Sequence, residues 1–330
     1  MHLGTFMVVS AIVLVVYSGG QAAEASFEPQ AAGPPPLSRA QESQTTVGEP
    51  NGVLTLRDAL ALALLRNPDL GVFPYTLREA DARLLQAGLR PNPQLEFEVE
   101  DVGGRRERGG FEMAQTTVSV GQSLELGGKR AKRNRVAAHD KEMLQWDYQS
   151  ARLDTVRQVA RAFAAVLAAQ ERRALTDRLL ELSRQAQAAV AQRVKAGKDS
   201  PVEELRADVA LAESRIERQK AERALTTARY NLAVTWGGRA PAFEKAEGDF
   251  YGTAAPRSPA RMSAAISRNP DVARWRTEEQ QRRAALQLEK ARGVPDVTVG
   301  AGLRRYEETD DQALVFGLAL PLPLFDRNQG

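Results

Sequence analysis

Three stretches of this sequence carry residue types whose spacing could support chemistry. Gly127-Gly128-Lys129-Arg130 has the outline of a glycine-rich loop whose backbone cradles a phosphate while a lysine reaches toward it. That chemistry needs an earlier glycine and a Ser or Thr directly after the lysine, and Ser123 and Arg130 stand at those places. His139-Asp140-Lys141-Glu142 offers an imidazole beside carboxylates. A helical zinc site takes a second histidine one turn away, and the only histidines are His2 and His139. The chain has no cysteine, which excludes thiolate metal sites, disulfides and a lipid-modified N-terminal Cys. In the third stretch Glu96, Glu98 and Glu100 alternate with Leu95, Phe97 and Val99, which puts three carboxylates on one face of a strand. Such a row either lines a lumen and favours cations or is a solvated strand face. No enzyme is read from these residues, and neither a cofactor nor a bound metal is expected.

Composition points the same way. The chain has 330 residues, 43% of them hydrophobic and only 6% aromatic, and it is rich in the Ala, Leu, Arg, Glu and Gln of long helices. A net charge of +3 from 45 basic and 42 acidic side chains is close to balance. No basic patch is interleaved with stacking aromatics, so Lys129-Arg130-Ala131-Lys132-Arg133 reads as a solvated helix start, and no nucleic acid is expected. The apolar run from Met7 to Val16 is too short to span a bilayer and is followed by small residues up to Ala22 and Ala23. Residues 1–23 therefore read as a secretory signal peptide, although the leading segment carries His2 and no Lys or Arg.

The dominant element lies at residues 128–236. Residues 130–196 contain no proline, which allows an unbroken helix roughly 100 Å long at about 1.5 Å per residue. Apolar residues recur at Leu153, Val156, Ala160, Phe163 and Leu167, then at Leu175, Leu179, Leu182, Ala186 and Ala189, three and four apart as in a coiled-coil seam. Val159, Val166, Leu180 and Val190 widen the stripe, which suits a helix gripped on two sides. The pattern breaks at Ala196-Gly197-Lys198-Asp199-Ser200-Pro201. There Gly197 suits the left-handed residue after a helix end, and Ser200-Pro201-Val202-Glu203 reads as an N-cap, a first-turn proline and a capping-box Glu. A return helix to about residue 236 makes a hairpin with unequal arms.

Before the hairpin, residues 24–53, with Pro34-Pro35-Pro36, read as a flexible linker. Helices fill 54–92: one opens at an N-cap Thr55 and stops at Asn67-Pro68, and Pro74 should delay or kink the next. Residues 93–127 then switch to a period of two, with Val118, Val120, Leu124 and Leu126 on the second strand after a turn at 103–110. A strand of about ten residues is long enough to cross a bilayer when tilted. Arg66-Asn67-Pro68-Asp69 recurs as Arg268-Asn269-Pro270-Asp271, an offset of 202 that also relates Ala82 to Ala284, Leu84 to Leu286 and Pro93 to Pro295. After a connector at 237–256, this internal repeat places helices at 257–292 and a second strand pair at 293–325. Those strands run through Val297, Val299, Ala301 and Leu303, and through Leu314, Phe316, Leu318, Leu320, Leu322 and Leu324. By the same repeat, residues 326–330 begin a second helical hairpin of about a hundred residues, so the chain reads as a fragment or truncated product.

Two copies of helix, strand pair and long hairpin behind a signal peptide resemble the TolC family of outer-membrane efflux proteins. The resemblance covers about residues 54–330. It is carried by Leu54-Thr55-Leu56-Arg57-Asp58-Ala59-Leu60, both Asn-Pro-Asp turns, Leu89-Arg90-Pro91-Asn92-Pro93, Leu126-Gly127-Gly128-Lys129-Arg130, the tip at 193–203 and Pro321-Leu322-Pro323-Leu324-Phe325-Asp326-Arg327-Asn328. The Gly-Gly-Lys-Arg and Phe-Asp-Arg-Asn-Gln-Gly variants look most like the cation-efflux, cobalt-zinc-cadmium branch. The resemblance implies a mixed fold, with a long α-helical hairpin forming part of an α-barrel and four antiparallel strands contributing to a trimeric transmembrane β-barrel. It further implies an outer-membrane duct projecting into the periplasm, a homotrimer in outer-membrane lipid that works with a periplasmic adaptor and an inner-membrane, proton-driven pump. Carried onto this chain, the adaptor-contacting tip is Arg193, Ala196, Gly197, Lys198, Asp199 and Ser200, and Lys198 departs from the apolar residue common there. Two alternatives stay open: a secreted or periplasmic coiled-coil adaptor or scaffold without a barrel, and a type I secretion duct.

Overall fold

A computed structural model describes residue 48 and residues 51–104, 110–252, 258–266 and 268–330. The signal peptide at 1–23, nearly all of the 24–53 linker and the centre of the 103–110 turn lie outside the described residues. In chain order the elements are β1 (Val53–Thr55), α1 (Leu56–Arg66), α2 (Pro68–Gly71), α3 (Phe73–Ala87), β2 (Gln94–Glu100), β3 (Gln115–Leu124), α4 (Lys129–Lys195), α5 (Pro201–Val234), β4 (Lys245–Glu247), α6 (Pro259–Ile266), α7 (Pro270–Arg292), β5 (Val297–Tyr306) and β6 (Asp311–Ala319).

Local chemistry starts the helices where the sequence places them. The Thr55 hydroxyl accepts from the Asp58 N–H at 3.3 Å while the Asp58 carboxylate takes the Thr55 N–H, a closed capping box. Both Asn-Pro-Asp turns are N-caps: the Asn67 side-chain oxygen accepts from the N–H of Asp69 at 2.8 Å, and Asn269 does the same for Asp271 at 2.8 Å. Asn67 is buried and its amide also donates to the Thr235 carbonyl at 2.8 Å, tying the cap to the end of α5. The copies then diverge. Pro74 lacks an N–H and sits in the first turn of α3, so the helix of the first copy is divided around Val72. Arg276 occupies the matching place in the second copy, and α7 runs 23 residues without a break.

The core gathers Leu54, Leu62, Val159, Phe163, Val166, Leu225, Leu232, Trp236 and Phe243 where α1, the middle of α4 and the end of α5 meet. One element here is not anticipated by the hydrophobic pattern: β1 and β4 pair in parallel, Leu54 opposite Ala246. Gln170 of α4 extends this pairing with its side chain, donating to the Ala246 carbonyl at 2.9 Å and accepting from the Ala246 N–H at 2.8 Å.

The helix of 67 residues exists as expected, and its expected seam is buried at Phe163 and Leu167 but not along its second half. Thr155, Val159, Phe163, Val166, Thr176 and Leu180 are buried, whereas Leu153, Leu175, Leu179 and Leu182 are exposed, the last at 62%. The stripe holds two adjacent apolar rows; toward the tip the flanking row is buried at Leu180 and the regular one, at Leu175, Leu179 and Leu182, faces away. Polar rungs fix the register of the arms, with Ser183 Oγ and Ser214 Oγ 2.7 Å apart and the Gln187 amide donating to Asp208 at 2.9 Å. Near its start α4 packs on α7 instead, through Arg274 to Asp147 at 2.6 Å and Trp146 Nε1 to Thr277 Oγ1 at 3.2 Å.

Strands β2, β3, β5 and β6 form one antiparallel sheet in that order. Two strand ends are shorter than the alternation suggests. Strand β3 stops at Leu124, before Leu126, and β6 stops at Ala319, because Pro321 and Pro323 supply no ladder donors; Leu320, Leu322 and Leu324 lie beyond it. Where sheet meets helices, Asp296 accepts from the Leu126 N–H at 2.9 Å and pairs with Lys129 at 2.7 Å. Arg133 grips the Ala87 carbonyl at 2.8 Å, the Leu89 carbonyl at 3.0 Å and Glu125 at 2.6 Å. The carbonyl matching Ala87 in the second copy, that of Glu289, is taken by Asn328 at 2.7 Å.

These contacts generate two expectations. Truncating Leu232, which is 0% exposed, should cost about 2 to 5 kcal/mol of stability, whereas Leu182→Ala in the monomeric chain should stay within about 0.5 kcal/mol, as read by urea unfolding. Partial burial opposes ionisation of Asp296, but the bonds from Lys129 and the Leu126 N–H and the Lys129 charge outweigh it and hold its carboxyl below the ordinary value. A depressed carboxyl contributes stability above its unfolded pKa of about 3.9 and loses that contribution as pH falls through the folded value. The protection factor of the Leu126 amide, its exchange rate relative to the unfolded chain at the same pH, should therefore fall below about pH 3.9, and Asp296→Asn should flatten that dependence.

Candidate functional site

Two regions present side chains in arrangements that can act on something outside the chain: the hairpin tip and the polar face of the sheet. At the tip α4 ends in a closed motif. The Lys198 N–H reaches back to the Arg193 carbonyl and the Gly197 N–H to Val194, both at 2.9 Å. Gly197 has φ of 70°, the left-handed conformation that a Cβ disfavours. Arg193 forks onto Asp199 with contacts of 2.9 and 3.0 Å, and Asp199 is only 18% exposed at its side chain. Ser200 caps α5 by accepting from the Val202 N–H at 3.3 Å.

The expected capping box is not completed. Glu203 turns to Arg206 at 2.7 Å, and its N–H bonds to the Ser200 carbonyl. The structure thus brings Arg193, Asp199 and Ser200 together as the frame of the turn, and leaves Ala196, Gly197 and Lys198 exposed as its outer surface. Val202, Leu205 and Val209 are exposed just behind them on α5. Their spacing of three and four was visible in the sequence, but not that this row faces outward. The tip is therefore a hydrogen-bonded knob with exposed cations at Lys195 and Lys198 and a small apolar flank, a shape suited to docking.

The sheet divides as its alternation requires. One face carries Leu95, Phe97, Val118, Val120, Leu303, Leu314, Phe316 and Leu318, and it is open: Phe97 is 68% and Phe316 76% exposed. The other face carries Glu96, Glu98 and Glu100 opposite Ser119, Thr117 and Gln115. This face is close-packed around Gly302, where a Cβ would stand 2.5 Å from the Val118 carbonyl and 2.6 Å from Ser119. Arg304 lies on it as well, donating to Thr117 at 2.9 Å and Gln115 at 3.1 Å and pairing with Glu100 at 2.9 Å. Sequence reading missed Arg304, because one charged residue in an alternating run reads as ordinary polar filling.

The phosphate-loop outline is spent on geometry. Gly127 and Gly128 both have positive φ and turn the chain from strand to helix, and Lys129 is engaged by Asp296. His139 contacts Glu142 at 3.3 Å on the surface of α4. Among the described residues no helix is long and apolar enough to cross a membrane.

Comparison with known proteins accords with this geometry. The chain is 36% identical over 282 residues to the cobalt-zinc-cadmium resistance protein CzcC of Cupriavidus metallidurans, an alignment covering 86% of this chain and 66% of that one. The curated relatives it matches are longer; the chain spans about two thirds of their length. Among solved structures, the CusC channel superposes with a TM-score of 0.68 at 17% identity, covering 93% of this chain and 75% of that one. The outer membrane protein VceC of Vibrio cholerae gives 0.66 at 18% identity, covering 83% and 69%. These two likenesses establish the fold. Residues 59–238, more than half of the chain, match the outer membrane efflux protein family, from the buried start of α1 through both arms of the hairpin to its closing glycines. The chain belongs to the outer membrane efflux protein family.

Proposed function

We propose that the chain is the outer-membrane channel component of a tripartite efflux pump, a passive exit duct for metal cations across periplasm and outer membrane. The observation that carries this reading is the sheet: an open apolar face, an acidic face, and two edge strands, β2 and β6. In hydrocarbon an open edge leaves peptide groups unsatisfied, and twelve strands from three copies close a barrel in which none remains. The apolar face then meets lipid while Glu96, Glu98 and Glu100 face the lumen. A soluble scaffold would leave that apolar face in water, which disfavours the adaptor alternative.

The cargo follows from the relatives: CzcC is named for cobalt, zinc and cadmium resistance, and a carboxylate-lined lumen suits cations. Direction and energy come from partners, a proton-driven inner-membrane pump and a periplasmic adaptor. The adaptor docks on Ala196, Gly197 and Lys198, with Arg193, Asp199 and Ser200 framing them. The duct conducts and does not catalyse.

Heat-modifiable mobility of a trimer extracted from outer membranes with detergent is the expected result, and recovery of the full chain as a soluble monomer would refute the reading. For the tip, Lys198→Glu should leave thermal stability unchanged, since the side chain is exposed, while lowering co-purification of the adaptor about tenfold. Arg193→Ala, which frees Asp199, should weaken the same interaction with a small loss of hairpin stability, about 0.2 to 1 kcal/mol.

A further inference from the structure

We infer that Arg304 is a specificity-determining residue of this duct: it answers Glu100 at the turn end of the acidic face and leaves Glu96 as the carboxylate beyond its reach. The inference rests on the duct reading above. The register sets out the polar face row by row. Gln94, Gly121, Gly300 and Gly317 come first from the helical end, then Glu96, Ser119, Gly302 and Val315, then Glu98, Thr117, Arg304 and Ala313, and last Glu100, Gln115, Tyr306 and Asp311. Within the strands this face therefore holds four carboxylates and a single cation, Arg304. Arg305, its neighbour, points to the opposite face and is engaged by Glu307 and Asp310.

The guanidinium of Arg304 does not extend toward Glu98 in its own row. It leans toward the turn, using Nε for the buried Thr117 hydroxyl, Nη1 for the Gln115 side-chain oxygen and Nη2 for Glu100. Gln115 is itself held by Asp101, to which its amide donates at 3.2 Å. The charge is thus fixed in place across three strands, with its side chain only 25% exposed. Glu96 lies roughly 13 Å from Glu100 along the strand at about 3.4 Å per residue. Physiological salt screens a charge over about 8 Å, so Arg304 cancels Glu100 without cancelling Glu96. The inner wall becomes graded along its length: at the turn end Glu100 and Asp311 stand beside one cation, whereas the Glu96 row holds a carboxylate and no cation. A cation leaving through it meets an unopposed carboxylate at Glu96, and Arg304 weakens the hold at the turn end, which favours release.

The test is ion selectivity of the purified full chain in planar bilayers under a potassium chloride gradient. Arg304→Gln should raise the potassium-to-chloride permeability ratio about twofold or more, and Glu100→Gln should lower it. Arg304→Lys keeps the charge but loses the forked contacts, and its ratio should stay near that of the wild type even where its thermal stability falls. An unchanged ratio in conducting Arg304→Gln channels would overturn the inference, as would a shift in Arg304→Lys as large as that in Arg304→Gln, which would assign the effect to the clamp. If Arg304→Gln does not assemble, Glu100→Gln decides alone: a lowered ratio supports the inference and an unchanged one overturns it. A wild-type chain that conducts nothing overturns the duct reading and this inference together, whereas conducting channels of fixed selectivity overturn only the inference.

Discussion

A sheet with one apolar face and two open edges cannot rest in water or in lipid by itself. In water the apolar face lacks cover, and in lipid the edge peptides lack partners. This constraint governs the rest of the chain. It requires strands long enough to matter, a turn end kept polar, and a root where each strand passes into a helix without losing its direction. The alternation that separates Leu95 and Phe97 from Glu96 and Glu98 meets the first demand. The charged residues at the turns, with Arg304 and Arg305 both engaged, meet the second.

The third demand is met at the root by a few well-directed polar contacts. Asp296 holds both Leu126 and Lys129, so the end of β3, the start of β5 and the first turn of α4 move together. Arg133 does the same for the end of α3 and the segment after β3. Such bonds each contribute modestly, on the order of 1 kcal/mol, but they are placed where a long lever begins. An angular error at the root of α4 would be multiplied along its 67 residues. Directional contacts at the base therefore do more for the position of the tip than equal contacts near the tip would.

Much of this was legible in the sequence where the cause is local. Thr55 with Asp58, the two Asn-Pro-Asp turns, Gly197 and Ser200-Pro201 each act within one turn of chain, and each stands where its residue types suggest. The repeat was legible because duplication leaves matched residues at a constant offset. The pairing of β1 with β4 was not, because three-residue strands far apart in sequence leave no periodic trace. The second half of the buried seam of α4 was misassigned for a related reason: periodicity reveals an apolar stripe, but which row of it meets a neighbour depends on the position of that neighbour. Of the candidate site, the tip and the acidic row were legible, while the cation answering Glu100 comes from a strand that is remote in sequence and is adjacent only through the fold.

The division at Val72 has a consequence for symmetry. A duplicated chain assembled three times could in principle present six equivalent sectors around its axis, each able to slide past the next in the same way. Because Pro74 interrupts the helix of one copy while its counterpart, α7, is continuous, the two kinds of sector are not interchangeable. In the proposed trimer divided and continuous helices therefore alternate around the axis, and the symmetry of the wall is three-fold and not six-fold.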